Sequence, residues 1–191
     1  MQLFKKLGLM LLMLVMVAQA QQSVLELFRA AKKGDKAAFA QLKALGNKGD
    51  ASAQNSLGFM YDNGEGVPKD AVQAVFWYRK SAEQGNAKAQ YNLGLMYGKG
   101  DGVPKDFVEA VSWYRKSAEQ GNASAQSNLG ASYYKGEGVP KDLVVSYMWR
   151  NLAAAQGNEI AKRAREALGK IMTSAQIAEA QRLSYEWEPK P

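Results

Sequence analysis

Polar and apolar residues follow one another along the chain with the spacing of amphipathic α-helices. Ala53, Leu57 and Tyr61 fall four residues apart, so they share one face of a helix that we expect from about Ala51 to Asp62. We name this predicted element helix A. Gly58 lies inside it, at a cost of about 1 kcal/mol relative to alanine, which predicts that the backbone of another helix approaches closely there.

A second amphipathic helix, helix B, is expected to end at about Glu83. Trp77 and Tyr78 lie between small alanines on its apolar side. Asp70 precedes the helix and can accept hydrogen bonds from its first-turn amides, and Gln73 has the spacing of a capping-box partner. The glycine- and proline-containing loop before Asp70 makes the two segments an antiparallel pair.

This helix pair is written three times at a constant step of 36 residues. The loop sequence Gly-x-Gly-Val-Pro-Lys-Asp begins at Gly64, Gly100 and Gly136. A period of this length is typical of helical units stacked on copies of themselves, because one pair cannot bury its apolar stripes alone. We therefore predict an all-α fold of stacked antiparallel helix pairs.

The predicted organisation follows the repeat. It comprises a degenerate helix pair at 21–48, three repeats at 49–84, 85–120 and 121–156, and capping helices with a short tail at 157–191. At the end of the chain, Arg165 and Glu166 replace the Leu-Gly pair of the repeats, and polar replacement of packing residues is typical of a terminal cap.

Residues 1–20 have the pattern of a Sec-type signal peptide. Two lysines precede an apolar run from Leu7 to Val17, and Ala18 and Ala20 are the small residues that a signal peptidase reads. The run is too short to span a bilayer of about 30 Å stably. We expect cleavage between Ala20 and Gln21, a periplasmic or secreted protein, and no stable membrane anchor after cleavage. A short, uncleaved anchor is the alternative.

The amino-acid composition excludes several kinds of catalytic and binding site. The chain has no Cys and no His, which excludes Ser-His-Asp and Cys-His nucleophile systems and the commonest transition-metal ligand. Its formal net charge is +7, with acidic and basic residues interspersed, so we expect no nucleic-acid partner. We also expect no cofactor and no metal site.

Three motifs resemble the Sel1-like repeat, a relative of the tetratricopeptide repeat. They are Ala-x-Ala-Gln-x-x-Leu-Gly-x-x-Tyr (from Ala51, Ala87 and Ala123), the glycine-rich loop, and the ending Trp-Tyr-x-x-x-Ala-x-x-Gly. The third copy departs at Ser146, where the others have Ala, and at Arg150, where they have Tyr. The resemblance, which extends to exported bacterial members, implies a right-handed α-solenoid that scaffolds protein–protein contacts and has no catalytic residues.

Helix A positions that differ between copies are the candidate binding residues. Positions identical in each copy are explained by stacking, whereas the differing ones form a separate stripe, which the resemblance places on a concave face. We name it the helix-A stripe and expect it to contact a protein or peptide through Asn55, Phe59, Tyr91, Leu95, Ser127 and Tyr134. Packing within the protein is the alternative for the apolar and aromatic members.

A basic ladder is a second candidate surface. It comprises Lys69, Arg79, Lys80, Lys105, Arg115, Lys116 and Lys141. The alternative is a solvated face, because each loop lysine precedes an Asp that weakens its field.

One spacing suggests catalysis. Ser132 and Lys135 have the Ser-x-x-Lys spacing of penicillin-recognising enzymes, but no Lys-Thr-Gly or Ser-Asp-Asn accompanies them. We therefore expect a non-catalytic scaffold or adaptor of the bacterial cell envelope. A β-lactamase-like envelope hydrolase and a secreted effector that engages a host protein are the alternatives.

Overall fold

The computed structural model describes residues 23–189, and all regular elements in that part are α-helices. The described part contains ten helices: α1 (23–32), α2 (Lys36–Asn47), α3 (Ala51–Asn63), α4 (Ala71–Glu83), α5 (Ala87–Lys99), α6 (Phe107–Glu119), α7 (Ala123–Lys135), α8 (Leu143–Ala155), α9 (Glu159–Gly169) and α10 (Ser174–Tyr185). The predicted signal peptide lies outside the described residues. No helix within 23–189 has both the length and the apolar character needed to cross a membrane.

Each repeat supplies one antiparallel helix pair, as the sequence predicts. Helix A of the three repeats is α3, α5 and α7, and helix B is α4, α6 and α8. Within the later repeats, α5 packs on α6, α6 on α7 and α7 on α8. The predicted all-α class of stacked helix pairs is confirmed.

Short-range signals fix both ends of helix A. The residue before it caps its first turn: Asp50 Oδ1 accepts a hydrogen bond from the amide of Ala53 at 2.8 Å, and Asn86 and Asn122 do the same at 3.0 Å in the next repeats. The helix then ends at a glycine in the left-handed region, such as Gly64 with φ of 71°.

The described residues belong to two compact units that divide after Lys80, within α4. In the first unit, Leu42, Leu57, Met60 and Trp77 form the core. In the second, Leu129 and Trp149 belong to the main cluster, and α10 packs on α8.

The glycine inside helix A provides space for a side chain of helix B. A Cβ on Gly58 would lie 2.5 Å from the ring of Tyr78, and one on Gly94 would lie 2.6 Å from the ring of Tyr114. The expected backbone neighbour is therefore replaced by an aromatic ring at both positions, and at Gly94 a helix B carbonyl oxygen, that of Ala110, follows at 3.1 Å. In the third repeat the neighbours of Gly130 are Arg150 Cγ, at 2.8 Å, and the carbonyl oxygen of Ser146, at 3.0 Å.

Candidate protein-interaction surface

The first unit contributes two residues of the helix-A stripe, both half-buried. The ring of Phe59 packs edge-on against Phe28 of α1, with centroids 5.7 Å apart. The Lys32 ammonium lies 5.2 Å from both ring centres and forms an ion pair with Glu65 at 2.5 Å. Phe59 therefore has a packing role within the unit and presents only part of its ring, beside the half-buried Asn55.

Tyr91 and Leu95 in the second unit are also half-buried. Both pack against the main core cluster of that unit. The rings of Tyr91 and Tyr114 lie 6.2 Å apart, and burial raises the pKa of the Tyr91 phenol. The packing role that was the alternative for both residues is thus present, and each side chain offers a partner only part of its surface.

A groove of about 210 Å³ lies beside Leu95, between α5, α6 and α7. Its lining includes Gly98, Tyr114, Asn128 and Lys135. Burial raises the pKa of Tyr114 to about 12, although its hydrogen bond with Asn128 acts in the opposite direction. The groove therefore presents neutral hydrogen-bonding groups, together with the charges of Lys99 and of the Lys135–Glu137 ion pair of 3.5 Å.

Tyr134 and Ser127 differ sharply in exposure although both lie on α7. Tyr134 is 40% exposed, whereas Ser127 is 9% exposed and offers a partner little area. Two cations face the ring of Tyr134: Lys141 Nζ is 5.5 Å and the Arg150 guanidinium carbon 5.6 Å from its centroid. Tyr134 is the most accessible of the six stripe residues.

Residues of the basic ladder contact aromatic side chains. Lys116 Nζ lies 4.1 Å from the centroid of Trp113, and Lys80 Nζ lies 4.6 Å from that of Phe76. Arg115 donates a hydrogen bond of 2.7 Å to the hydroxyl of Tyr133. The two lysine contacts follow from helical spacings of three and four between cation and ring, a signal present in the sequence, whereas the Arg115–Tyr133 bond joins two different helices.

The Ser132–Lys135 spacing does not produce an activated serine in the described residues. Ser132 is buried, and no hydrogen bond joins its hydroxyl to the Lys135 ammonium, which pairs with Glu137 instead. A nucleophile of this kind needs a base within hydrogen-bond reach. The spacing here is that of neighbouring residues on one helix face.

Comparisons with known proteins agree with the helix pairs. A family model for the Sel1 repeat matches 51–86, 87–122 and 123–158, more than half of the chain. Among solved structures, a protective antigen of uropathogenic Escherichia coli that displays an SLR fold is 33% identical, with a TM-score of 0.78 over 89% of this chain. A Sel1 repeat protein of Oxalobacter formigenes is 42% identical, with a TM-score of 0.69 over 75% of this chain.

The chain spans 38% of the Escherichia coli protein and 58% of the Oxalobacter protein. A comparison with curated proteins gave no match. The three matched repeats agree in period with the helix pairs of the structure. The protein therefore belongs to the Sel1 repeat family, whose fold is a solenoid of stacked helix pairs.

Proposed function

We propose that this protein is a non-catalytic interaction scaffold or adaptor of the bacterial cell envelope. Sel1 repeat proteins generally act as scaffolds for protein–protein interactions. The proposal adds a binding face, the helix-A stripe, and a location, the periplasm or the exterior of the cell. Its partner is a protein or peptide, and after removal of residues 1–20 nothing anchors it stably in the membrane.

The observation that carries the proposal is the contrast between constant and variable positions of one helix. On α7, Leu129 is constant among the three repeats and is 0% exposed, whereas Tyr134 is variable and is 40% exposed. Packing between helices explains the constant Leu129 but does not explain the variable Tyr134. An exposed tyrosine is the kind of side chain that dominates protein interfaces.

When a partner binds to such a surface, few residues of this protein have to become ordered. Within each unit, capped helices carry the stripe residues of that unit, and its own core fixes those helices. A preformed face avoids much of the conformational cost of association, so modest contact areas suffice for useful affinity.

The proposed location has two supports. Residues 1–20 have the charged start, apolar run and small residues of a signal peptide. One similar protein is described as a protective antigen of a pathogenic strain. The proposal includes both residence in the periplasm and secretion toward a host protein.

Crosslinking in the cell tests the binding face. A photoreactive amino acid at Tyr134 should attach a partner protein on illumination. The matched position is Val108 on helix B, which is 65% exposed and lies outside the stripe. A specific product from position 134 and none from 108 supports the proposal. Products from 108 alone, or from neither site, contradict it.

A turnover assay tests the absence of catalysis. We expect the purified protein to leave a chromogenic β-lactam unhydrolysed, because Ser132 lacks a hydrogen-bonded base. The control is the Ser132→Ala variant, which should behave identically. Hydrolysis by the native protein that this substitution abolishes would establish the β-lactamase-like alternative.

A further inference from the structure

The third repeat places a cation where the others bury a phenol. Tyr78 and Tyr114 are both buried over the glycine of helix A in their own repeats. Arg150 is their equivalent, and its aliphatic stem lies against Gly130 in the same way. The packing function of the position is therefore retained, and a guanidinium is added at its outer end.

This guanidinium has no anionic partner in the described part of the chain. No Asp or Glu there forms an ion pair with Arg150, whereas Arg182 pairs with Glu179 at 2.7 Å and with Glu186 at 2.6 Å. Burial lowers the pKa of Arg150, and its Nε atom is buried without a hydrogen-bond partner. A partly desolvated cation is costly unless an anion accompanies it.

Tyr134 and Lys141 complete a cluster around this cation. The side chains of Lys141 and Arg150 both lie within 6 Å of the centre of the Tyr134 ring, at 5.5 and 5.6 Å. The nearest acids along the chain are already engaged. Asp142 accepts a hydrogen bond of 3.0 Å from the amide of Val145 as the N-cap of α8, and Glu137 pairs with Lys135.

We propose that Tyr134, Lys141 and Arg150 form a carboxylate-binding site that takes an acidic side chain from a partner protein. Arginine can hold a carboxylate through two parallel hydrogen bonds, and lysine adds a point charge. The formal net charge of +7 favours approach of an acidic segment. The inference rests on the proposed function, because Tyr134 belongs to the helix-A stripe, and it adds the chemistry of the partner.

The departure from the repeat pattern is what makes the site specific to the third repeat. At the position of Tyr134 the earlier repeats have Asp62 and Gly98, and at the position of Arg150 they have tyrosine. Neither earlier repeat therefore has two cations around an exposed ring at this point. An acidic segment should be held at one place along the stripe, which would fix its register.

A peptide of six glutamates with blocked ends and a fluorescent label is the probe. The purified protein should bind it at low salt and lose affinity as salt is raised. Arg150→Met keeps an aliphatic stem over Gly130 and should weaken binding about tenfold. Lys141→Met should weaken it about threefold, and because Lys141 is an exposed loop residue this variant does not depend on repacking.

Matched controls remove the same charge elsewhere. Arg163→Met on α9 and Lys43→Met on α2, both exposed and outside the basic ladder, should leave peptide affinity unchanged within about twofold. A neutral peptide of six glutamines should not bind. Circular dichroism should show the same helical signal for all four variants.

Three results would overturn the inference. They are no binding of the glutamate peptide, equal weakening by all four variants, and tighter binding of a polyphosphate of equal charge than of the peptide. These outcomes are separate from failure of the proposed function, which is read from crosslinking at Tyr134. A crosslinked partner combined with no peptide binding would remove only the acidic preference.

Discussion

At the scale of single residues, helix propensity and packing make opposite predictions for replacing the glycine within helix A. Glycine costs about 1 kcal/mol relative to alanine inside a helix, so propensity alone favours its replacement. At Gly94 the ring of buried Tyr114 occupies the space where a Cβ would lie. Buried rings cannot move aside cheaply, so we expect packing to outweigh propensity here.

Gly94→Ala should therefore lower the free energy of unfolding by about 1–2 kcal/mol, since overpacking costs more than the propensity gain returns. Urea denaturation followed by circular dichroism measures the change. Gly98→Ala, in the same helix, is the control: its Cβ would lie 3.4 Å from the Tyr114 hydroxyl, an ordinary contact. That variant should gain up to about 1 kcal/mol. Stabilisation by both substitutions would contradict the packing explanation.

The sequence revealed which residues depart from the repeat, but not how the departures are compensated. Ser146 interrupts the alanine pattern, and its hydroxyl donates a hydrogen bond of 2.6 Å to the carbonyl oxygen of Gly130. Arg150 is a second departure, and only the three-dimensional structure shows that no acid among residues 23–189 forms an ion pair with it. A single repeat has no local signal for either feature, because both depend on contacts between two helices.

At the scale of elements, a buried glutamine ties each helix A to the helix before it. Gln90 donates to the carbonyl oxygen of Ala82 at 3.1 Å, and Gln126 donates to that of Ala118 at 3.2 Å. Each acceptor lies in the last turn of a helix, where carbonyls lack intrahelical donors. The side-chain oxygen of Gln126 also accepts a hydrogen bond from Gln156 at 2.8 Å. The glutamine thus links three successive helices.

Gln126→Met should lower the free energy of unfolding by about 1–2 kcal/mol, because it removes both hydrogen bonds while nearly preserving volume. Thermal or urea denaturation checks this. Gln181→Met, on an exposed face of α10, should change stability by less than about 0.5 kcal/mol. An equal, small effect of both substitutions would show that the buried amide contributes nothing to stacking.

Helix bounds were predictable because their signals are local. Helix A was expected from Ala51 to Asp62 and is observed to Asn63, and helix B was expected to end at Glu83 and does so. Asp70, the predicted cap of helix B, accepts a hydrogen bond of 3.0 Å from the amide of Gln73. In contrast, Tyr91 was proposed as an interface anchor from its variability, and only the structure shows its contact with Tyr114.

At the scale of the whole molecule, repetition explains why so much of the fold could be derived. A constant period places equivalent residues in the same environment. The helix bounds and buried positions predicted for one helix pair therefore apply to all three. Leu57, Leu93 and Leu129 are each fully buried, as that rule requires. The proposed binding residues are those that differ between the copies, and the sequence does not name their partner.

The most direct test of this account compares one constant and one variable residue of α7 by urea denaturation. Leu129→Ala should lower the free energy of unfolding by about 3 kcal/mol, because it opens a cavity in the core of the second unit. Tyr134→Ala should lower it by less than about 1 kcal/mol, because the ring is exposed and loses only its contacts with two cations. Equal losses would contradict the account, because they would mean that Tyr134 stabilises the fold as much as a core residue does.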